Sequence, residues 1–269
     1  MAAIRRLARE LNLASIRGRV TLIPVANEAA FKRGARCGPD DLDLARTCPG
    51  SPAGSETERI AHELSALIRS ADYYVDLHTG GTTLSVYPMT GYMLHPNPEI
   101  LATQRRMARA FNLPIAWGTT PNLEGRTLSV ARHAGIPAIY AEYHGSGACD
   151  PTGVDAYVEG CLNVMAELDM LSRNPSPTRV AYVVEDDRTD SGHMQIQYRS
   201  PCDGFFEPAV RLGDPVTRGQ KIGTVTDVVG ESAVSVESRE SGIMLVLRTF
   251  PSVRVGDSLG VVLEMDPAR

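Results

Sequence analysis

Two strand-like runs in this chain end in side chains that can do chemistry. Tyr73-Tyr74-Val75 leads through Asp76 to His78, and Thr79-Gly80-Gly81 follow at once. Ile136 to Tyr143, IPAIYAEY, carries Glu142 and is followed by His144-Gly-Ser-Gly. In α/β folds the carboxyl ends of strands are where ligands and metals are held. An imidazole at such a rim can bind a metal, with Asp76 two residues back on the same strand face. One His alone does not hold a catalytic zinc, which takes several protein ligands and keeps one position open. A carboxylate at the matching rim can activate a metal-bound water and pass the proton to a leaving group. Glu142 also reads as a solvated strand-end side chain, and His144, on the same strand face, as a ligand, an orienting group or a surface residue.

A second group of candidates lies in N-E-A-A-F-K-R-G-A-R-C-G-P-D-D-L-D-L-A-R, which contains Asn27, Arg36, Asp43 and Arg46. Long polar loops between elements carry function more often than structure requires. Two guanidiniums suit a substrate carboxylate, because each can form paired hydrogen bonds with a planar anion. On spacing alone they equally suit surface pairs with Asp40, Asp41 and Asp43. His62, His95, His133 and His193 are weaker candidates, and Gly80-Gly81 lacks the Lys-Ser/Thr ending of a phosphate loop.

The elements that must position these residues alternate. Ile4, Leu7, Ala8 and Leu11 share one helical face. Arg19 to Asn27 reads as a buried strand and Thr57 to Ser70 as a helix. The Tyr73 to His78 strand follows, with Leu84 to Pro88 as another. Helices are expected over Glu99 to Phe111, Leu123 to Ala134 and Val154 to Leu171, with a strand over Ile136 to Tyr143. This alternation predicts an α/β domain over residues 1–174, a mixed sheet flanked by helices. Ser172 to Thr178, with Pro175 and Pro177, reads as a linker. Residues 178–269 change to short β-type runs, Val180–Val184, Met194–Tyr198, Lys221–Val225, Ser232–Glu237 and Ile243–Leu247, which predict an all-β barrel or sandwich.

Bulk properties narrow the partners. Of 269 residues 43% are hydrophobic and 22% charged, as in soluble globular chains, and the net charge of −5 gives no support for nucleic-acid binding. No apolar run reaches the length of a membrane span, and the amphipathic start lacks the apolar centre of a secretory signal. Five scattered cysteines read as reduced thiols of a cytoplasmic protein. The expected partner is a small carboxylate-bearing molecule, with no nucleic acid and no membrane; a homo-oligomer is compatible with all of this.

Taken in order, N-E-A-A-F-x4-R (Asn27 to Arg36), D-L-A-R (Asp43 to Arg46), V-D-L-H-T-G (Val75 to Gly80), A-E-Y (Ala141 to Tyr143) and G-D-P-V-x-R-G-Q-x-I-G (Gly213 to Gly223) resemble the succinylglutamate desuccinylase/aspartoacylase family of zinc carboxypeptidase-like hydrolases. The resemblance covers nearly the whole chain. It implies a Zn2+-dependent deacylase acting on an amide or ester of a small carboxylate, such as an N-acyl amino acid. It implies His78 as the third zinc ligand and Glu142 as the base. Asn27, Arg36 and Arg46 fall in the substrate-binding stretch, where the arginines would grip the carboxylate and help polarise the carbonyl. Arg132, ten residues before Glu142, matches a further anion-binding arginine of the family. The β-rich end resembles the family's barrel-like domain, related to biotinyl and lipoyl carriers; no carrier lysine stands around Glu240-Ser-Gly-Ile-Met, so no covalent cofactor is expected.

Two departures stand out. Ala45 replaces the Asn of the family's Asp-Leu-Asn-Arg, which removes an amide that would contact substrate. The family's His-x-x-Glu, source of its first two zinc ligands, occurs nowhere in this sequence. Its expected place is just before the first helix, which starts at Met1 with no cap and no preceding strand, so the missing strand and ligand pair are expected to lie upstream of Met1. The competing expectations are a non-catalytic, metal-free relative that binds small anions or plays a structural part, and a compensated site using His78 with His144 or His95.

Overall fold

The computed structural model describes residues 1–189, 191–194 and 197–265. Its helices are α1 (Ala2–Glu10), α2 (Glu28–Arg33), α3 (Leu44–Thr47), α4 (Glu56–Arg69), α5 (Pro98–Phe111), α6 (Thr127–His133) and α7 (Pro151–Glu167). The strands are β1 (Tyr74–His78), β2 (Leu84–Met93), β3 (Ile115–Thr119), β4 (Ala138–Gly145), β5 (Tyr182–Glu185), β6 (Tyr198–Arg199), β7 (Gly204–Pro208), β8 (Pro215–Val216), β9 (Lys221–Thr226), β10 (Ala233–Glu237), β11 (Gly242–Arg248), β12 (Ser252–Val253) and β13 (Ser258–Glu264). No described helix is long and apolar enough to cross a membrane. The chain forms two compact units and passes between them repeatedly: one holds Met1–Leu77, Met89–Ala141 and Asp150–Ser191, the other His78–Pro88, Glu142–Cys149 and Gly192–Arg269.

In the first unit the helix–strand alternation yields parallel pairing, as the crossover rule requires. The second half of β2 runs parallel to β3, from Met89 opposite Ile115 to Met93 opposite Thr119, and β3 runs parallel to β5. Each principal helix starts on a residue that satisfies its free N–H groups. Ser55 and Glu58 form a capping box on α4, Asn97 caps α5 ahead of Pro98, and Asp150 caps α7 ahead of Pro151. α4 buries Ala61, Leu64 and Ile68 in a core shared with Met93, Leu123, Leu128, Val130, Ile136 and Ala138. α1 lies on α7 and buries Ala3 and Leu7. Trp117, the one tryptophan of the sequence, is buried in β3. Arg105 grips Glu185 through both carboxylate oxygens, at 2.7 and 2.6 Å, and Tyr92 donates to the same carboxylate at 2.7 Å.

In the second unit β11 is antiparallel to β13, to β8 and to the first part of β2, with Val246 opposite Val86 and Arg248 opposite Leu84. Pro88, which has no N–H to give a ladder, sits between the stretch of β2 that pairs with β11 and the stretch that pairs with β3. A separate antiparallel sheet has the order β10-β9-β7-β12. Phe206, Ile222 and Val225 from this sheet share a core with Met244, Leu247, Leu259 and Val262 from the other. The barrel of the sequence-based expectation does not close among the described residues: β10, with a bulge at Val236/Glu237, and the two-residue β12 are the outer strands.

Three further expectations are corrected. Arg19–Asn27 forms no strand; Gly18 turns the chain at φ 89°, Pro24 cannot donate, and no ladder partner faces the segment among the described residues. Leu84–Pro88 extends to Met93, and β3 was hidden because Gly118 and Pro114 mask a short apolar run. Of the expected run Met194–Tyr198, Gln195 and Ile196 lie outside the described residues, and pairing is seen at Tyr198 and Arg199.

Candidate functional site

β1 and β4 are neighbours and run in the same direction, tied by Tyr74 N–H to the Pro137 carbonyl and by Gly80 N–H to the His144 carbonyl at 2.7 Å. Within the second unit this brings the strand ends bearing His78 and Glu142 side by side. The glycines beyond them make the approach feasible. A Cβ on Gly80 would lie 2.4 Å from the Leu84 carbonyl oxygen, and one on Gly145 would meet the same atom at 2.4 Å. Ser146 N–H and Gly147 N–H then donate to the Leu84 and Gly81 carbonyls. His144, at φ 45°, and Ser146, at φ 59°, are held left-handed by this network, a conformation that costs energy and recurs at functional turns. Glu142 is buried, at 7% exposure, which fits a carboxylate kept for a purpose better than a solvated strand end. The His144 ring packs edge-on to Tyr143 at 4.6 Å between centroids.

The arginine-bearing loop belongs to the first unit and is more ordered than its composition suggests. Asp40 pins it to the start of α4, accepting from Ser55 Oγ at 2.6 Å and from Thr57 N–H and Oγ1, each at 2.8 Å. These donors hold the Asp40 carboxyl well below the usual carboxylate range, the Ser55 hydroxyl foremost. Asn27 is occupied locally: its Oδ1 caps α2 by accepting from Ala30 N–H, and its amide faces Thr57. Asp43 caps α3 through Ala45 N–H at 3.0 Å and accepts from Arg36 Nε at 2.9 Å. The surface pairing weighed from spacing is thus realised for Arg36. Arg46 folds back on the Ala45 carbonyl at 2.7 Å and stays exposed.

Arg132, which the resemblance matches to an anion-binding arginine, forms an ion pair with Glu124, beside His133. Burial lowers the pKa of Arg126, and the positive charges of Arg46 and Arg36 lower it further, while Tyr140 and Asp43 act in the opposite sense. Sequence reading missed Arg126. The one local signal was Gly125 before it, and its meaning is non-local: Gly125 has φ 76°, and a Cβ there would lie 2.6 Å from the Arg46 carbonyl oxygen. Tyr140, on β4 two residues before Glu142, lies over Gly91, where a Cβ would sit 2.1 Å from its ring. Asp76 accepts from Thr127 Oγ1 at 2.5 Å, and His95 accepts from Asn97 N–H at 3.0 Å.

Zinc, which the resemblance implies, needs several ligands converging on one point. Among the described residues no group of three or more His, Cys, Asp or Glu is placed to hold a metal ion. The residues present therefore do not fit a zinc site of that kind.

His78 and Glu142 thus stand on adjoining strands within the second unit, and the arginines belong to the first. The family model for the succinylglutamate desuccinylase/aspartoacylase catalytic domain matches residues 1–168, and the chain belongs to that family. It is 30% identical, over 98% of its length and 78% of the relative's, to an N-alpha-acetyl-L-2,4-diaminobutyric acid deacetylase of Halomonas elongata. Among solved structures it is similar to the product-bound ectoine utilization protein EutE (DoeB) of Ruegeria pomeroyi, with TM-score 0.89, 26% identity and coverage of 98% of this chain and 80% of that one. It is also similar to a succinylglutamate desuccinylase/aspartoacylase of Rhodobacter sphaeroides, with TM-score 0.87, 27% identity and coverage of 97% and 80%. The Halomonas and Rhodobacter relatives are named as hydrolytic enzymes, and the chain is of that enzyme class.

Proposed function

We propose that this protein removes the acyl group from an N-acyl amino acid, a small amide that carries a free carboxylate. Burial of Glu142 on the strand next to the one that ends in His78 is the observation that carries this reading. Glu142 takes the proton of the attacking water and returns it to the leaving amine. Arg36 and Arg46 attract the carboxylate of the substrate, and a guanidinium also stabilises charge developing on the carbonyl oxygen. Asn27 supports this stretch through its cap on α2, and Arg132, paired with Glu124, is the further arginine assigned to anion binding. His78 is the residue assigned to the family's Zn2+, although no group of three ligands stands together among the described residues. An N-acetyl-2,4-diaminobutyrate, N-succinylglutamate or N-acetylaspartate is the substrate type to try first, given the names of the relatives. We further assign residues 1–174 to the catalytic domain and 178–269 to a β-rich accessory domain.

A second reading is favoured by the missing ligand cluster: a relative that binds small anions without turning them over. Purified protein incubated with the three N-acyl amino acids, with amine release followed and bound zinc measured by mass spectrometry, separates the two. Amine release above the rate of a Glu142→Gln variant supports the deacylase. Anion binding without release supports the second reading.

A further inference from the structure

β10 leaves its sheet with an open edge. Its five residues, Ala233 to Glu237, pair with β9 on one side, and no described strand lies on the other. Asp227 N–H donates to the Ser232 carbonyl and Ser238 N–H to the Gln220 carbonyl, so the even-numbered residues turn their backbone groups to β9. By alternation the N–H and C=O groups of Ala233, Ser235 and Glu237 point to the free edge. The irregularity at Val236/Glu237 is taken up on β9, where Ile222 is skipped, so β10 itself runs unbroken. Edge strands are ordinarily shielded by a proline, a lysine or a bulge of their own, and β10 has none of these. Both of its ends are held in place. Asp227 accepts from the N–H groups of Val229, Glu231 and Ser232, and Arg239 N–H donates to the Tyr198 hydroxyl.

We propose that the free edge of β10 is an interface with a second copy of this chain, joined antiparallel about a two-fold axis at Ser235. In that register Ser235 meets Ser235 of the second copy, Val234 meets Val236, and Ala233 meets Glu237. The outward backbone groups of all three edge residues then exchange hydrogen bonds. Val234 is 41% exposed although its β9 partner Val225 is fully buried, and the second copy gives it an apolar neighbour on that face. The charges favour a copy of the chain over an unrelated strand. The same register sets exposed Glu231 level with exposed Arg239 of the second copy, twice over by symmetry. Glu237 lies opposite Lys221 of β9 within its own copy, so no like charges are set directly opposite one another.

The test is sedimentation velocity of the full chain at concentrations up to about 100 μM, with circular dichroism to verify that each variant is folded. Wild type is expected to be dimeric at the upper end. Ser235→Pro removes an N–H that β9 does not use and should be monomeric throughout. Glu231→Arg should weaken association at least about tenfold, because two symmetry-related pairs become repulsive, and adding Arg239→Glu should restore it. Cysteine cross-linking reads the register. Residues opposed in a hydrogen-bonded antiparallel pair have Cα atoms about 5.5 Å apart, within reach of a disulfide. Ser235→Cys should therefore give a disulfide-linked dimer on mild oxidation, mapped by peptide mass, with wild type treated alike to account for the native cysteines. Ala233→Cys, level with Glu237 of the second copy, should not. A monomeric wild type at about 100 μM overturns the proposal, whatever else binds the edge. So does a dimer that Ser235→Pro and Glu231→Arg leave intact, or cross-linking through Ala233→Cys and not through Ser235→Cys. Where Ser235→Pro does not fold, Glu231→Arg and Ser235→Cys decide alone.

Discussion

Glu142 and Cys48 are both buried, yet burial means opposite things for them. Glu142 is an acid enclosed at a strand end, and replacing it by Gln preserves its shape while removing the base. Glu142→Gln is expected to lower deacylation about 10²–10⁴-fold, measured as the rate of amine release, with unchanged circular dichroism. Cys48 is enclosed among Ala61, Leu64 and Leu123, and burial pushes its thiol up to about 11. It stays protonated and inert near neutrality. Alkylation of the native protein with iodoacetamide, mapped by peptide mass, should therefore modify exposed Cys149 first and spare Cys48. His78 and Glu142 were legible because each ends an apolar run next to small residues. Arg126 was not, because its placement depends on a backbone contact with a residue eighty positions earlier. The partner of Arg132 was not legible either: Glu124 lies eight residues before it and meets it across the turn into α6.

At the scale of elements, periodicity with a cap was enough. α4, α5 and α7 have Ser55, Asn97 and Asp150 at their starts, and each helix lies within a few residues of its expected span. Apolar composition without a partner was not enough, which is why Arg19–Asn27 runs unpaired: a strand is defined by its neighbour, and no single segment encodes that. The turn before α6 and the pinned loop before α4 can each be tested. Gly125→Ala places a Cβ against the Arg46 carbonyl at a positive φ and is expected to cost about 1–3 kcal/mol in a urea titration. Asp40 has a depressed pKa, so its contribution to stability is present above the unfolded carboxylate value and is lost as pH falls through the lower folded value. Asp40→Asn should lower the melting temperature at neutral pH, and the gap from wild type should shrink as the pH is lowered below about 4.

For the whole molecule, fold class was legible and chain routing was not. Alternation of helix and strand announced the parallel sheet, and short turn-bounded runs announced the antiparallel one. Nothing in a local window announced that His78–Pro88 and Glu142–Cys149 group with the last third of the chain. Those two short segments carry His78 and Glu142, so the proposed chemistry hangs on residues that cluster with β6–β13 rather than with their sequence neighbours. Ile222, fully buried in the core of that unit, is a place to weaken it: Ile222→Ala should cost about 2–5 kcal/mol, read from the urea midpoint by far-ultraviolet circular dichroism. The location of Trp117 gives such measurements an unplanned selectivity. A single indole buried in β3 makes intrinsic fluorescence a reporter of the first unit alone, whereas circular dichroism sums over both. Melting curves from the two signals superimpose only if the units lose structure as one cooperative body, and a separation between them would measure how independently the two halves of this interlaced chain come apart.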